Sequence, residues 1–323
     1  MARIDRSFSR REWCALLSAA LMPASAQDDV IKVDVDLVNL LFTVRNKQGL
    51  VGNLNKEEFT VFEDGREQQI RSFTRESNLP LTIGLLIDVS VSQERLIEVE
   101  KEAARQFFAR VLRDKDLAFL ISFGAEAELL QDYTNSQKLL RQSMDGLRVN
   151  AAAGGLHAPS TSRTQLRGTI MFDTVFLAAD EKLRGQVGRK VLILITDGVD
   201  QGSRVSRDKA IEAAQKADTI IYSIQYVDYA FYNRGYYSMG GVSDADLKRM
   251  SEQTGGRVFY VDRNNTLLDI FRQIEEEVRT QYSIAYTPAN SKKDGTFRKI
   301  EIRTRQKELK VQARRGYYAV AAD

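Results

Sequence analysis

Apolar residues along this chain follow two rhythms. Between Leu81 and about Thr280, short unbroken apolar runs alternate with segments of helical spacing; on either side the rhythm drops to period two. The runs at 81–87 and 190–196 read as strands buried on both faces of a parallel sheet. Residues 116–123, 219–227 and 257–261 read as further strands, and 128–133, after a turn at Gly124, as an edge strand. Helices fit 94–112, with Leu96, Val99, Ala103, Phe107 and Val111 on one face, then 169–177, 206–217, 244–254 (ended by Gly255-Gly256) and 266–280. Strand–helix alternation of this kind predicts an α/β fold with a doubly wound, mostly parallel sheet and helices on both faces.

The flanks differ. From 31 to 74, alternating apolar and polar residues are broken by turns at Lys47-Gln-Gly49 and Asp64-Gly65; the tail repeats the pattern at 282–286, 297–304 and 309–313. Such stretches argue for antiparallel hairpins. Neither flank has enough strands to bury a core by itself. The expectation is one small antiparallel β-sandwich-like domain built from both flanks, with the α/β domain inserted between them; two separate small modules are the alternative. The expected divisions are a signal peptide over 1–26, a β-rich flank over 27–78, the α/β domain over 79–280 and a second β-rich flank over 281–323. Pro80 and Pro288 sit near the two junctions.

Candidate chemistry lies where the two buried runs end. Asp88-Val-Ser90-Val-Ser92 follows the first and Asp197-Gly198 the second, while Thr169 opens a helical segment between them. Loops at the carboxyl ends of parallel strands share one face, so Asp88, Ser90, Ser92, Thr169 and Asp197 are expected to converge. Their carboxylates and hydroxyls are hard oxygen donors suited to a divalent cation, Mg²⁺ first, with Mn²⁺ and Ca²⁺ as alternatives. Turn and N-cap roles are the plainer reading of Ser and Asp, and Ser92 is expected to cap the next helix as well as ligate.

On these residues the chain resembles the von Willebrand factor A domain and its metal-ion-dependent adhesion site. That family's Asp-x-Ser-x-Ser, Thr and Asp elements occur here in order as Asp88-x-Ser90-x-Ser92, Thr169 and Asp197. The resemblance implies serines and a threonine at or near the metal, aspartates often acting through water, and a partner Asp or Glu completing the coordination. Asp173, one helical turn beyond Thr169, is expected to orient it. In the flanks, Glu58-Phe59-Thr-Val-Phe62-Glu-Asp-Gly65 and the closing Arg315-Gly-Tyr-Tyr318 resemble the exported von Willebrand A-related proteins of acidobacteria.

Composition narrows the setting. Arg3, Arg6, Arg10 and Arg11 precede an apolar stretch, and Ala24-Ser25-Ala26 fits a cleavage site before Gln27, so the chain is expected to be exported to the periplasm or beyond, by a Sec or a twin-arginine route. The apolar stretch is far short of a membrane span, and none is expected in the mature chain. Cys14, the sole cysteine, would leave with the signal. A formal net charge of +3 argues against a nucleic-acid partner. The tail, with Lys292, Lys293, Arg298, Lys299, Arg303 and others, is locally basic, which fits either a solvated sheet face or contact with an anionic envelope polymer.

Partner contact is read from the aromatic segment after residue 226: Tyr229, Phe231, Tyr232, Tyr236 and Tyr237 offer large amphipathic area. The competing reading is a metal-assisted hydrolase or phosphotransferase on the same site. An aspartyl-phosphate enzyme would want a second Asp where Ser90 sits, and the only histidine is His157. A protein-binding module without catalysis is the expectation.

Overall fold

A computed structural model describes residues 37–76, 79–149, 168–232 and 242–320. The signal-peptide reading, His157, Tyr236 and Tyr237 lie outside the described residues. The first flank holds β1 (Val38–Asn46), β2 (Gly49–Leu50), β3 (Phe59–Glu63), β4 (Arg66–Gln68) and β5 (Ile70–Glu76). An α/β body follows: β6 (Leu81–Asp88), α1 (Ile97–Val111), β7 (Leu117–Phe123), β8 (Ala127–Thr134), α2 (Gln137–Asp145) and α3 (Met171–Leu177). It continues with β9 (Arg189–Thr196), α4 (Arg207–Lys216), β10 (Thr219–Gln225), the single turn α5 (Tyr229–Tyr232), α6 (Ala245–Thr254), β11 (Val258–Tyr260) and α7 (Leu267–Arg279). The tail adds β12 (Gln281–Tyr286), β13 (Phe297–Thr304), β14 (Lys310–Ala313) and β15 (Gly316–Tyr318).

The body is built on a six-stranded sheet in the order β11-β10-β9-β6-β7-β8. All its neighbours run parallel except β7 and β8; β8 is the edge strand the sequence suggested, and it pairs antiparallel. Every residue of β6 and β9 is buried, as unbroken apolar runs require when helices cover both faces. Ile83, Leu85, Ile87, Val191, Ile193 and Ile195 face one layer with Phe107, Phe108, Phe271 and Ile274 of α1 and α7. Leu86, Leu192 and Leu194 face the other, against α3, α4 and α6. This is the doubly wound α/β architecture expected.

Details depart from expectation. The inward face of α1 holds Ala103, Phe107 and Val111 as read from spacing but is wider: Ile97, Glu100, Ala104 and Phe108 are also buried, while Val99 is 51% exposed. A turn at Val91–Gln93 precedes the helix, which starts at Ile97 rather than at 94. Helix α3 starts at Met171, so Thr169 precedes it rather than opening it, and α3 runs on into a wider π turn at Ala178–Leu183. Helix α2 and strand β15 carry patterns too short to have been read from spacing.

The flanks pair with each other. One sheet alternates tail and head strands, β14-β1-β12-β5, with β2 beside β1; the second runs β15-β13-β3-β4. Val38 to Phe42 of β1 align antiparallel with Tyr286 to Tyr282 of β12. Between the sheets lie Leu40, Phe42, Phe59, Val61, Tyr282 and Ile284, with Phe42 edge-on to Phe59 at 5.1 Å. Glu63 is buried and satisfied there, accepting from the Tyr286 hydroxyl at 2.6 Å and the Tyr317 hydroxyl at 2.9 Å. Because strands from opposite ends of the chain interleave, the two-module alternative does not hold.

The sandwich is bolted to the body through α7. The fully buried Glu277 meets Arg45 of β1 at 2.5 Å and Arg257 at 2.6 Å. Gln312 of β14 donates to the Gly255 carbonyl at 3.1 Å, where Gly255 ends α6 with φ of 92°.

Candidate metal site

β6 and β9 are neighbours in register, Ile87 beside Ile195, which brings their carboxyl ends together. Asp88 closes β6 and is fully buried; Asp197 follows β9 and is 2% exposed. The Thr196 hydroxyl donates to Asp88 Oδ2 at 2.6 Å, and the Ser90 backbone N–H donates to Oδ1 at 2.9 Å. Ser90 Oγ and Ser92 Oγ are 3.0 Å apart, and Ser92 Oγ donates to Asp197 Oδ2 at 2.6 Å. Asp88, Ser90, Ser92 and Asp197 thus form one connected cluster. Ser92 spends its hydroxyl on Asp197: neither the short turn after Ser90 nor α1 has a side-chain cap.

Gly198 shapes the second strand end. Its φ of 92° turns the chain sharply after Asp197, its N–H donates to Thr196 Oγ1 at 3.1 Å, and Val199 N–H donates to Asp197 Oδ1 at 3.0 Å.

Thr169 reaches the same end of the sheet through its backbone. Its carbonyl accepts from the N–H groups of Gln201 and Gly202, both at 3.1 Å, and Ile170 N–H donates to the Gly124 carbonyl at 2.9 Å. The Thr169 hydroxyl makes no hydrogen bond to a described residue. Asp173 does not bond to Thr169 as expected. Its carboxylate accepts from Arg204 N–H at 2.9 Å and Val205 N–H at 2.7 Å, clasping the loop after Asp197 to the start of α3. Asp200, which the sequence reading passed over, completes that clasp by accepting from Phe172 N–H at 3.1 Å and Ser203 Oγ at 2.6 Å.

Two further groups were missed or misplaced. The Tyr232 hydroxyl, read as a partner contact, donates to Asp197 Oδ2 at 2.6 Å and so reaches into the cluster. Tyr229 is 69% exposed, and Phe231 packs edge-on against Tyr232 at 5.5 Å. Glu100 on α1 is fully buried, and neither of its carboxyl oxygens has a hydrogen-bond partner among the described residues. Its signal was legible: an acid spaced with Ile97, Ala104 and Phe107 on the buried face of a helix.

The electrostatics are those of a site short of positive charge. Burial, then the Asp197 carboxylate, pushes the Asp88 carboxyl up to about 7. Burial raises Glu100 well above the usual carboxylate range, with Asp88 and Asp197 adding to it. Burial and the Asp197 charge also raise the Tyr232 phenol. Two strand-end carboxylates with hydroxyls beside them, and no sulfur or imidazole bonded to them among the described residues, fit a hard divalent cation. Among the described residues no group of three or more His, Cys, Asp or Glu side chains is placed to hold a metal, so a cation here draws on hydroxyls as well as the two aspartates.

The von Willebrand factor type A domain model matches residues 83–273, well over half of the chain. Over 94 residues the chain is 37% identical to integrin alpha-X of Mus musculus, covering 29% of this chain and 7% of the integrin. It is 22% identical over 235 residues to an uncharacterized protein of Borreliella burgdorferi, covering 68% of this chain and 59% of that protein. The match therefore spans less than two thirds of either relative.

Solved structures similar to it include proximal thread matrix protein 1 of the mussel byssus with a zinc-occupied MIDAS motif, at TM-score 0.48 and 15% identity over 67% of this chain and 50% of that one. An aerotolerance-related membrane protein of Bacteroides fragilis is similar at TM-score 0.44 and 14% identity, over 61% of this chain and 98% of that one. In the described residues no helix is long and apolar enough to cross a membrane. By the span of the family match and by its architecture, the chain belongs to the von Willebrand factor type A domain family.

Proposed function

We propose that this protein is an exported, metal-dependent protein-binding module of the adhesion or assembly kind. Asp88, Ser90, Ser92, Thr169 and Asp197 would hold one divalent cation, Mg²⁺ foremost, and a partner Asp or Glu would complete its coordination. The cation supplies a positive centre that a partner carboxylate can bind. The observation that carries the reading is the hydrogen-bonded chain Ser90–Ser92–Asp197 beside the buried Asp88 at the ends of two adjacent strands. Two carboxylates and three hydroxyls leave a hard cation wanting another anionic ligand, and a partner acid provides it.

Binding, rather than turnover, is the activity proposed. The Ser92 hydroxyl is engaged as a donor to the Asp197 carboxylate, which supports a part in holding the cluster together. The leading Arg-rich and apolar segment supports action outside the cytoplasm, with residues 79–280 as the binding domain and the two flanks as its base. Tyr229, Phe231, Tyr236 and Tyr237 are proposed to supply contact area beside the cation.

A panel of surface-immobilised acidic peptides, with their Asn and Gln counterparts, tests this. Acidic peptides should bind in Mg²⁺ and be lost on adding chelator, on amide replacement, and in Asp88→Ala. Binding that survives all three changes would contradict the reading.

A further inference from the structure

A cleft lies at the end of the central sheet opposite the cation-site residues, between the body and the sandwich. Its inner cavity, about 210 Å³, is lined by Asn39, Lys190, Gln215, Asp218 and Arg314 among others. Its outer part, about 750 Å³, shares Asn39, Lys190, Asp218 and Arg314 and adds Lys216 and Lys292. Lys190 is the second residue of β9, whereas Asp197 lies just past its far end. At about 3.3 Å per strand residue the two sites are roughly 20 Å apart.

Most cations in this cleft already have a counter-charge. Arg314 pairs with Asp218, Lys216 with Glu212 at 2.7 Å, Arg184 with Asp180 at 2.9 Å and Arg298 with Glu63 at 3.5 Å. Lys190 does not. It is 7% exposed, on the same face of β9 as Leu192 and Leu194, and its ammonium makes no hydrogen bond or ion pair with a described residue. Asp218, the acid that favours its charge, is committed to Arg314. Its side chain is largely buried while its ammonium end opens on the polar cavity, where an incoming anion would favour the charge that burial disfavours. Lys292, exposed in the outer cleft, also has no described side-chain partner. Two uncompensated ammonium groups match a doubly charged group better than a single carboxylate.

We propose that this cleft binds a phosphate group, as the free ion or as the end of a phosphate-bearing polymer, with Lys190 at its floor and Lys292 in its outer part. The proposal is independent of the cation site: it uses other residues at the other end of the sheet, and its test runs in chelator.

The test is calorimetric titration of inorganic phosphate, and separately of a linear polyphosphate of defined length, into the full chain in excess chelator. Wild type should bind saturably, and Lys190→Met should weaken binding by about tenfold or more. That variant puts an apolar side chain of similar length at a largely buried strand position, so its melting temperature should equal or exceed the wild-type value. Lys292→Gln, at an exposed position where folding is not at stake, should weaken binding by about threefold or more. Polyphosphate bound about tenfold tighter than the free ion would identify a polymer end, and equal affinity would identify the ion; both fit the proposal. Absence of saturable binding to both probes, undiminished binding in either variant, or equally tight binding of succinate would overturn it.

Discussion

At the scale of single residues, the site is governed by Asp88. Its carboxyl stands at about 7 rather than an ordinary 3.8, chiefly through burial and then through Asp197. The folded protein therefore keeps this proton to higher pH than the unfolded chain does. The stability that this group contributes is full below about pH 4 and is lost as pH climbs towards 7. Glu100, raised for the same first reason, acts in the same direction. The cation-free protein should thus be less stable at pH 8 than at pH 5, and saturating Mg²⁺ should shrink or reverse the difference. Denaturant unfolding at both pH values, with and without the ion, measures this; equal stability of the cation-free protein at the two would contradict it. Tyr232 bears on the same oxygens. Its hydroxyl donates to Asp197 Oδ2, the oxygen that also accepts from Ser92, and a bound cation would compete with that bond. Tyr232→Phe should tighten cation affinity by about threefold to tenfold, the size of one modest hydrogen bond. Weaker binding in that variant would instead make the hydroxyl a support for the carboxylate.

At the scale of elements, α7 carries the joint between body and sandwich. Glu277 is fully buried on it, between Arg45 from the sandwich and Arg257 from the body. Removing one partner of a buried ion pair leaves the other charges uncompensated and typically costs about 3–5 kcal/mol. Glu277→Ala is expected to fall in that range by denaturant unfolding, whereas Glu98→Ala, which removes an exposed carboxylate from the side of the buried Lys101, should cost clearly less. Comparable effects of the two would show that the joint is not held there. Elements also mark where sequence was and was not sufficient. Strands β6 and β9 were legible because burial on both faces leaves an unbroken apolar run that needs no phase. Helix α1 was found with Ala103, Phe107 and Val111 inward, but Val99 faces solvent, and a buried Glu100 does not count as apolar in any hydrophobic pattern. Asp173 was misassigned because helical spacing places residues along one helix and says nothing of the 200–205 loop that crosses its start.

At the scale of the whole molecule, the chain closes on itself. Each sheet of the sandwich takes strands from both flanks, so removing residues 281–323 takes away β12, which lies between β1 and β5, and β13, which lies between β3 and β15. That truncation should expose Phe42, Phe59 and Val61 and lose the head's protection against proteolysis, while a full-length control stays intact. A stable, protease-resistant head in the truncated chain would contradict a single interleaved sandwich. Period-two patterning made the flanks legible as β-rich, and the shortage of strands in each made a shared sandwich the expected outcome. The cleft behind Lys190 was not legible, because Lys190 in sequence is only the polar start of a buried strand; its missing counter-charge exists only once β10, the tail and the body are placed together.

The central claim is that the strand-end oxygens hold a divalent cation. Calorimetric titration of Mg²⁺, Mn²⁺ and Ca²⁺ into chelator-treated protein, beside Asp88→Ala, tests it most directly. One saturable site in the wild type, absent from a folded Asp88→Ala, is the result predicted. Binding of equal strength in both, or in neither even with an acidic peptide present to complete the site, would contradict it.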